Sequence, residues 1–182
     1  MGELQPRPAT RADVPRLCQL IDRSVRALGA DYYTPAQIES ALRHVFGPDT
    51  QLIDDSTYFV IESDAGELVA AGGWSGRRTL YGGDQMKSAD DGLLDPATDP
   101  ARIRAFFVHP DRARRGLARR LFARCASDAA CAGFRALELM ATLPGEPLYL
   151  ALGFTPVERT TATLPDGQSL ALVRMTRPLP AV

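Results

Sequence analysis

The chain has 182 residues, 45% of them hydrophobic and 24% charged, with a formal net charge of −1. That length is enough to bury a core within one domain, and the balance excludes a disordered chain. The near-neutral charge excludes an overall field that recruits nucleic acid or an anionic membrane. The three cysteines, Cys18, Cys125 and Cys131, match no zinc spacing. Residues 1–6 lack a charged-then-apolar secretory layout, and no apolar run has bilayer length. A cytoplasmic protein without metal, membrane or nucleic-acid partner is the expectation.

In chain order, residues 5–10 read as a short first strand. Asp13 is an expected N-cap with Pro15 in the first turn, and Val14, Leu17, Cys18, Ile21, Val25 and Leu28 then repeat at the helical period. A second helix opens at Thr34, with Pro35 at its first position and Gln37 completing a capping box. Ile38, Ala41, Leu42 and Val45 form its apolar stripe, and Gly47-Pro48 stops it. Tyr58-Phe59-Val60-Ile61 is β-rich, Asp64-Ala65-Gly66 turns the chain, and residues 68–74 return as a strand. Between 76 and 100 the periodicity dissolves around Gly82-Gly83-Asp84 and Asp90-Asp91-Gly92, so a mobile loop is expected.

Residues 102–108 read as the next strand, and residues 117–132 as a long helix. Leu117, Leu121, Cys125 and Ala129 line that helix, and Gly133 closes it. Residues 136–142 form a strand, 148–152 a short helix ended by Gly153, and 154–164 with 169–176 a closing hairpin around Pro165-Asp166-Gly167. The order, βααββ–βαβαββ, is an α+β mix with a strand–helix–strand unit at its centre.

The most informative segment is Ala113-Arg114-Arg115-Gly116-Leu117-Ala118, where a strand hands over to a helix. The first turn of a helix has unpaired N–H groups and a partial positive charge, which suits a phosphate. Gly116 allows close backbone approach and the arginines add charge. Read alone, the arginine run from 112 to 124 serves equally as a solvated helix face. A second segment, Tyr149-Leu150-Ala151-Leu152-Gly153-Phe154, follows after one helix and one strand, a separation that lets both converge on one end of a sheet.

With Phe107-Val108-His109-Pro110, Arg114-Arg115-Gly116-Leu117-Ala118 and Tyr149-Leu150-Ala151-Leu152-Gly153-Phe154 in this order, nearly the whole chain resembles the GNAT superfamily of N-acetyltransferases. The resemblance departs at Ala113, where the family's phosphate loop usually starts with Gln or Arg. It implies a central, mostly antiparallel twisted sheet with one splayed parallel strand pair and about four helices. It implies acetyl-CoA as co-substrate, held by Phe106, Phe107 and Val108 and by Arg114, Arg115, Gly116, Leu117, Ala118 and Arg119. It implies direct attack of a small-molecule or protein amine on the thioester in a ternary complex, and it allows a homodimer. Tyr149 takes the position of the acid that protonates the leaving thiolate. Without the resemblance it reads as a core tyrosine.

Glu138, on the strand beside the cleft, is the matching candidate base. An ordinary charged strand residue, Glu146 or ordered water are the alternatives. Tyr32, Tyr33 and Trp74 stand where family substrates bind, with Arg77 or Arg78 as carboxylate partners, although each also reads as a packing or solvated residue. A non-catalytic acyl-CoA-binding regulator on the same scaffold is the second reading.

Overall fold

The computed structural model describes residues 4–87, 89 and 91–180. Its elements are β1 (Arg7–Pro8), α1 (Val14–Gly29), α2 (Pro35–His44), α3 (Thr50–Asp54), β2 (Tyr58–Glu62), β3 (Leu68–Ser75), β4 (Ala101–Val108), α4 (Leu117–Cys131), β5 (Ala136–Thr142), α5 (Glu146–Ala151), β6 (Thr155–Thr163) and β7 (Ser169–Pro178). The strands form one sheet of order β1-β2-β3-β4-β5-β7-β6. All pairs are antiparallel except β4 with β5, the two strands joined by α4.

Core side chains divide between the two faces of the sheet. Leu117, Leu121, Phe122, Cys125 and Ala129 of α4 pack with Leu137, Leu139 and Ala141 of β5 and with Tyr149 of α5. On the other face Leu17 and Leu20 of α1 and Leu52 and Ile53 of α3 cover β2 and β3, while α2 sits on Leu170 and Leu172 of β7. Each of these stripes follows from helical period, so the core is the part of the fold that periodicity carries. The α2 start is as expected: Thr34 Oγ1 accepts from Gln37 N at 3.2 Å, and Gln37 Oε1 accepts from Thr34 N at 2.9 Å.

Three expectations are corrected. The first strand is only two residues long, because β2 offers it only a two-residue ladder. Asp13 is not a side-chain cap of α1: its carboxylate accepts from Thr10 N at 2.8 Å and from Arg7 at 2.9 Å, in a short 3-10 turn that precedes the helix. The extra helix α3 was not anticipated, although its cap is legible afterwards, since Asp49 accepts from Leu52 N at 3.3 Å.

The segment 76–100, expected to be mobile, is tied down at several places among its described residues. Leu94 N donates to Gly76 O at 2.8 Å and Arg78 N to Gly92 O at 3.0 Å. Arg104 of β4 donates to Thr79 O and Gly82 O at 2.8 and 2.6 Å. Asp90, one of its expected turn residues, lies outside the described residues. No helix among the described residues is long and apolar enough to cross a membrane.

Candidate active site

Strands β4 and β5 pair only at Ala101–Leu137 and Arg102–Glu138. Beyond that point β4 continues along β3 and β5 along β7, so the two parallel strands part into a V. Inside the V, β4 is bulged. Gly73 opposes Arg104 and Ala71 opposes Phe107, which leaves Ala105 and Phe106 facing the single residue Gly72. Ala105 absorbs the extra residue at φ 54°, a left-handed value that costs energy in a non-glycine residue.

Two adjacent glycines make the bulge fit. A Cβ on Gly72 would lie 2.7 Å from Cδ2 and Cε2 of Phe106, and a Cβ on Gly73 would lie 2.7 Å from the Thr57 carbonyl and 2.9 Å from Tyr58 Cδ2. The missing side chains let Phe106 lie against the α4 face and Tyr58 against the α1 face. From there the buried Tyr58 hydroxyl donates to the Ala105 carbonyl at 3.2 Å. Sequence reading missed Tyr58 and both glycines, yet a Gly-Gly pair inside a strand is a recognised mark of a bulge or close approach.

The backbone direction above the bulge follows from one bond. His109 N donates to Val69 O on β3 at 2.9 Å, so by alternation Val108 and Phe106 turn their main-chain groups toward the open V. The Val108 N–H there donates to Ser24 Oγ of α1 at 3.3 Å.

At the wide end of the V the chain turns into α4. Arg114 and Gly116 both have positive φ, 60° and 81°. Ala113 N donates to Pro110 O, and the next main-chain donor with a partner among the described residues is Arg120 N, on Gly116 O at 3.1 Å. Among the described residues the N–H groups of residues 114–119 therefore form a run without partners, a nest at a helix N-terminus that suits an anion. Leu117 and Ala118 keep their side chains buried, while Arg114, Arg115 and Arg119 are exposed around the nest. A Cβ on Gly116 would meet no atom within 4 Å, so its role is conformational, set by φ.

Tyr149, on α5, stands across the V from the bulge. Its ring packs edge-on against Phe106 and Phe154, with centroids 6.4 and 5.7 Å apart. Burial pushes the phenol above its ordinary range, so it stays protonated at neutral pH. Among the described residues its hydroxyl has no hydrogen-bond partner.

The structure does not bring Glu138 to Tyr149. Glu138 points to the opposite face, where Oε1 accepts from Arg174 Nη1 at 2.7 Å and Oε2 accepts from Arg102 Nη1. Both of its oxygens are engaged at the closed end of the V. Tyr33 is occupied as well: its hydroxyl donates to Ala171 O and accepts from Leu143 N, both at 2.8 Å. It fastens the α1–α2 turn to β7 and to the end of β5. Trp74 is buried on the α4 face with its ring edge against Phe134, at 6.0 Å between centroids. Tyr32 is 48% exposed and makes no ring contact among the described residues. Arg77 is held by Asp55 through two bonds of 2.6 and 2.9 Å. Among the described residues no cluster of His, Cys, Asp and Glu could hold a metal ion.

The same architecture recurs in solved structures. A GCN5-related N-acetyltransferase of Rhodopseudomonas palustris aligns over 98% of each chain, with 20% identity and a TM-score of 0.70. The PaiA N-acetyltransferase of Thermoplasma acidophilum, solved with coenzyme A, aligns over 97% of this chain and 99% of its own at 11% identity and a TM-score of 0.65. A phosphinothricin acetyltransferase of Sinorhizobium meliloti, solved with acetyl-CoA, aligns over 97% of this chain and 88% of its own at 21% identity and a TM-score of 0.63. At these identities the likeness speaks to the fold. No curated protein matches the chain. The family model of the GNAT acetyltransferases matches residues 21–154, a span that runs from α1 through both strands of the V to the end of the Tyr149 segment. The chain belongs to the GNAT acetyltransferase family.

Proposed function

We propose that the protein transfers an acetyl group from acetyl-CoA to a primary amine. The observation that carries the reading is the bulged edge of β4 that pairs with no strand inside the V, with a nest of N–H groups that lack partners among the described residues at its wide end. An extended pantetheine adds to such an edge as a strand would, pairing with main-chain groups of Phe106 and Val108. The Val108 N–H then exchanges Ser24 Oγ for the ligand. The pyrophosphate takes the N–H groups of residues 114–119, with Arg114, Arg115 and Arg119 around it. The solved relatives that carry coenzyme A or acetyl-CoA support this choice of ligand.

In this reading the thioester lies near the bulge between Phe106 and Tyr149. A neutral amine enters from the α1–α2 face and attacks the carbonyl carbon, forming a C–N bond. The C–S bond breaks, and the departing thiolate takes the Tyr149 proton. The proton lost by the amine passes to water. Glu138 is left out of proton transfer because both guanidiniums already engage it.

Thiol release from acetyl-CoA in the presence of a panel of amines tests the reading. Amine-dependent release is expected. Measurable acetyl-CoA binding with no release above background for any amine would make the protein a binding module instead.

A further inference from the structure

The acceptor face of the V carries an uneven set of charges. Arg102 of β4 and Arg174 of β7 both bind the one buried carboxylate of Glu138. Arg174 Nε also reaches Glu158 at 3.4 Å, but that carboxylate is 59% exposed and contributes little. Next to Arg102 on the same strand, Arg104 shares Asp49 with Lys87. Arg104 and Lys87 are balanced there by Asp49, Asp84 and Asp91, whereas Arg102 and Arg174 share one buried carboxylate beside the point where β4 and β5 part.

Donors remain at that point. Arg102 gives Nη1 to Glu138, its Nε is buried without a partner, and its Nη2 has none among the described residues. Arg174 likewise gives Nη1 and Nε but not Nη2. One Nη2 from each guanidinium suits the two oxygens of a planar carboxylate. Above them the face turns apolar: Met140 pairs in register with Arg174, and Phe107 packs edge-on against Phe46 at 6.2 Å. Arg102 lies three residues before Ala105, about 10 Å along the strand at ~3.3 Å per residue, which leaves room for the body of a small acceptor.

We propose that the acceptor amine carries a carboxylate, bound by Arg102 and Arg174 at the closed end of the V, so that the substrate class is an amino acid rather than a polyamine. This rests on the acetyl-transfer reading above. The two guanidiniums serve the chemistry as well as the binding. Cations near the acceptor disfavour the protonated amine, and only the neutral amine attacks. They also repel an acceptor that carries several positive charges.

The test compares α-, β- and longer ω-amino acids with their own carboxamides, and with a linear polyamine, in a thiol-release assay at saturating acetyl-CoA. Losing a charge-assisted pair at a partly buried site corresponds to about 10- to 100-fold. At least one acid is therefore expected to exceed its carboxamide by that factor in kcat/KM, with the difference in KM. Arg174→Gln should collapse the acid-to-amide ratio toward unity, and Arg174→Lys should restore part of it. A general loss of folding would lower both members of the pair and leave their ratio standing. Turnover with carboxamides or the polyamine equal to or better than with the acids overturns this inference and leaves acetyl transfer intact. Acetyl-CoA binding without turnover of any amine overturns the acetyl-transfer reading, and this one with it.

Discussion

Gly72→Ala puts the bulge to the sharpest test. The new Cβ would lie 2.7 Å from two ring carbons of Phe106 and 2.9 Å from a third, where ordinary carbon contacts are about 3.5–4 Å. The ring must therefore move by about 1 Å, and it is not the free end of a flexible chain. Its backbone is fixed by the bulge, and its edge rests on Tyr149. Overpacking of this kind costs about 1–3 kcal/mol. At about 2–4 °C per kcal/mol for a chain of this size, Tm should fall by roughly 2–12 °C.

Activity should fall further than stability alone explains, because the displaced ring shifts both the strand edge that would hold the pantetheine and the tyrosine that would donate the proton. Thermal denaturation gives the first number and thiol release at saturating acetyl-CoA gives the second. Gly29→Ala is the control, since its Cβ would meet only ordinary contacts at 3.7 Å. A Gly72→Ala protein with wild-type Tm and wild-type kcat would refute the reasoning.

Tyr149→Phe keeps the ring packing and removes the proton donor. It should lower kcat by about 10²-fold or more with little change in acetyl-CoA affinity, and an unchanged kcat removes Tyr149 from the acid role. Gly116→Val forces a branched side chain to φ 81° at the centre of the nest. Acetyl-CoA affinity measured by calorimetry should drop by at least 10-fold, and unaltered affinity would sink the pyrophosphate assignment. Asp13 gives a pH prediction. Hydrogen bonding to Arg7 holds its carboxyl well below the ordinary carboxylate range, against burial that acts the other way. Its contribution is present above the unfolded value near 4 and is lost as pH falls from there toward the depressed folded value. Asp13→Asn should therefore lower Tm at pH 7 and flatten the loss of Tm between pH 5 and pH 3. An equally steep acid limb in the variant would contradict it.

Helices α1, α2 and α4 were legible because their apolar stripes are long and periodic and because Thr34 and Gln37 mark a start that the structure keeps, whereas α3, five residues long, is too short to carry such a stripe. The turn into α4 at Gly116 was legible because strand, glycine and helix follow one another directly in sequence. The charged face proposed for the acceptor was not. Its cations come from β4 and β7, and the carboxylate they share from β5, so only the sheet order reveals that Arg102, Glu138 and Arg174 meet. Glu138 illustrates the cost: in sequence it is a lone carboxylate on a strand, and only the fold brings its two arginines to it. Tyr33 and Trp74 illustrate the converse. Aromatic residues near a cleft in sequence were turned to packing and to a buried bond pair that no local pattern announces. The two glycines of β3 were in plain view, but what they make room for lies on β4 and β2.

A crystal structure with acetyl-CoA bound is the most direct test of the central claim. The pantetheine is expected between β4 and β5, bonded to main-chain groups of Phe106 and Val108, with its pyrophosphate on the N–H groups of residues 114–119 and its sulfur within hydrogen-bond reach of the Tyr149 hydroxyl. A cofactor seated elsewhere, or one that leaves the V empty, would contradict it.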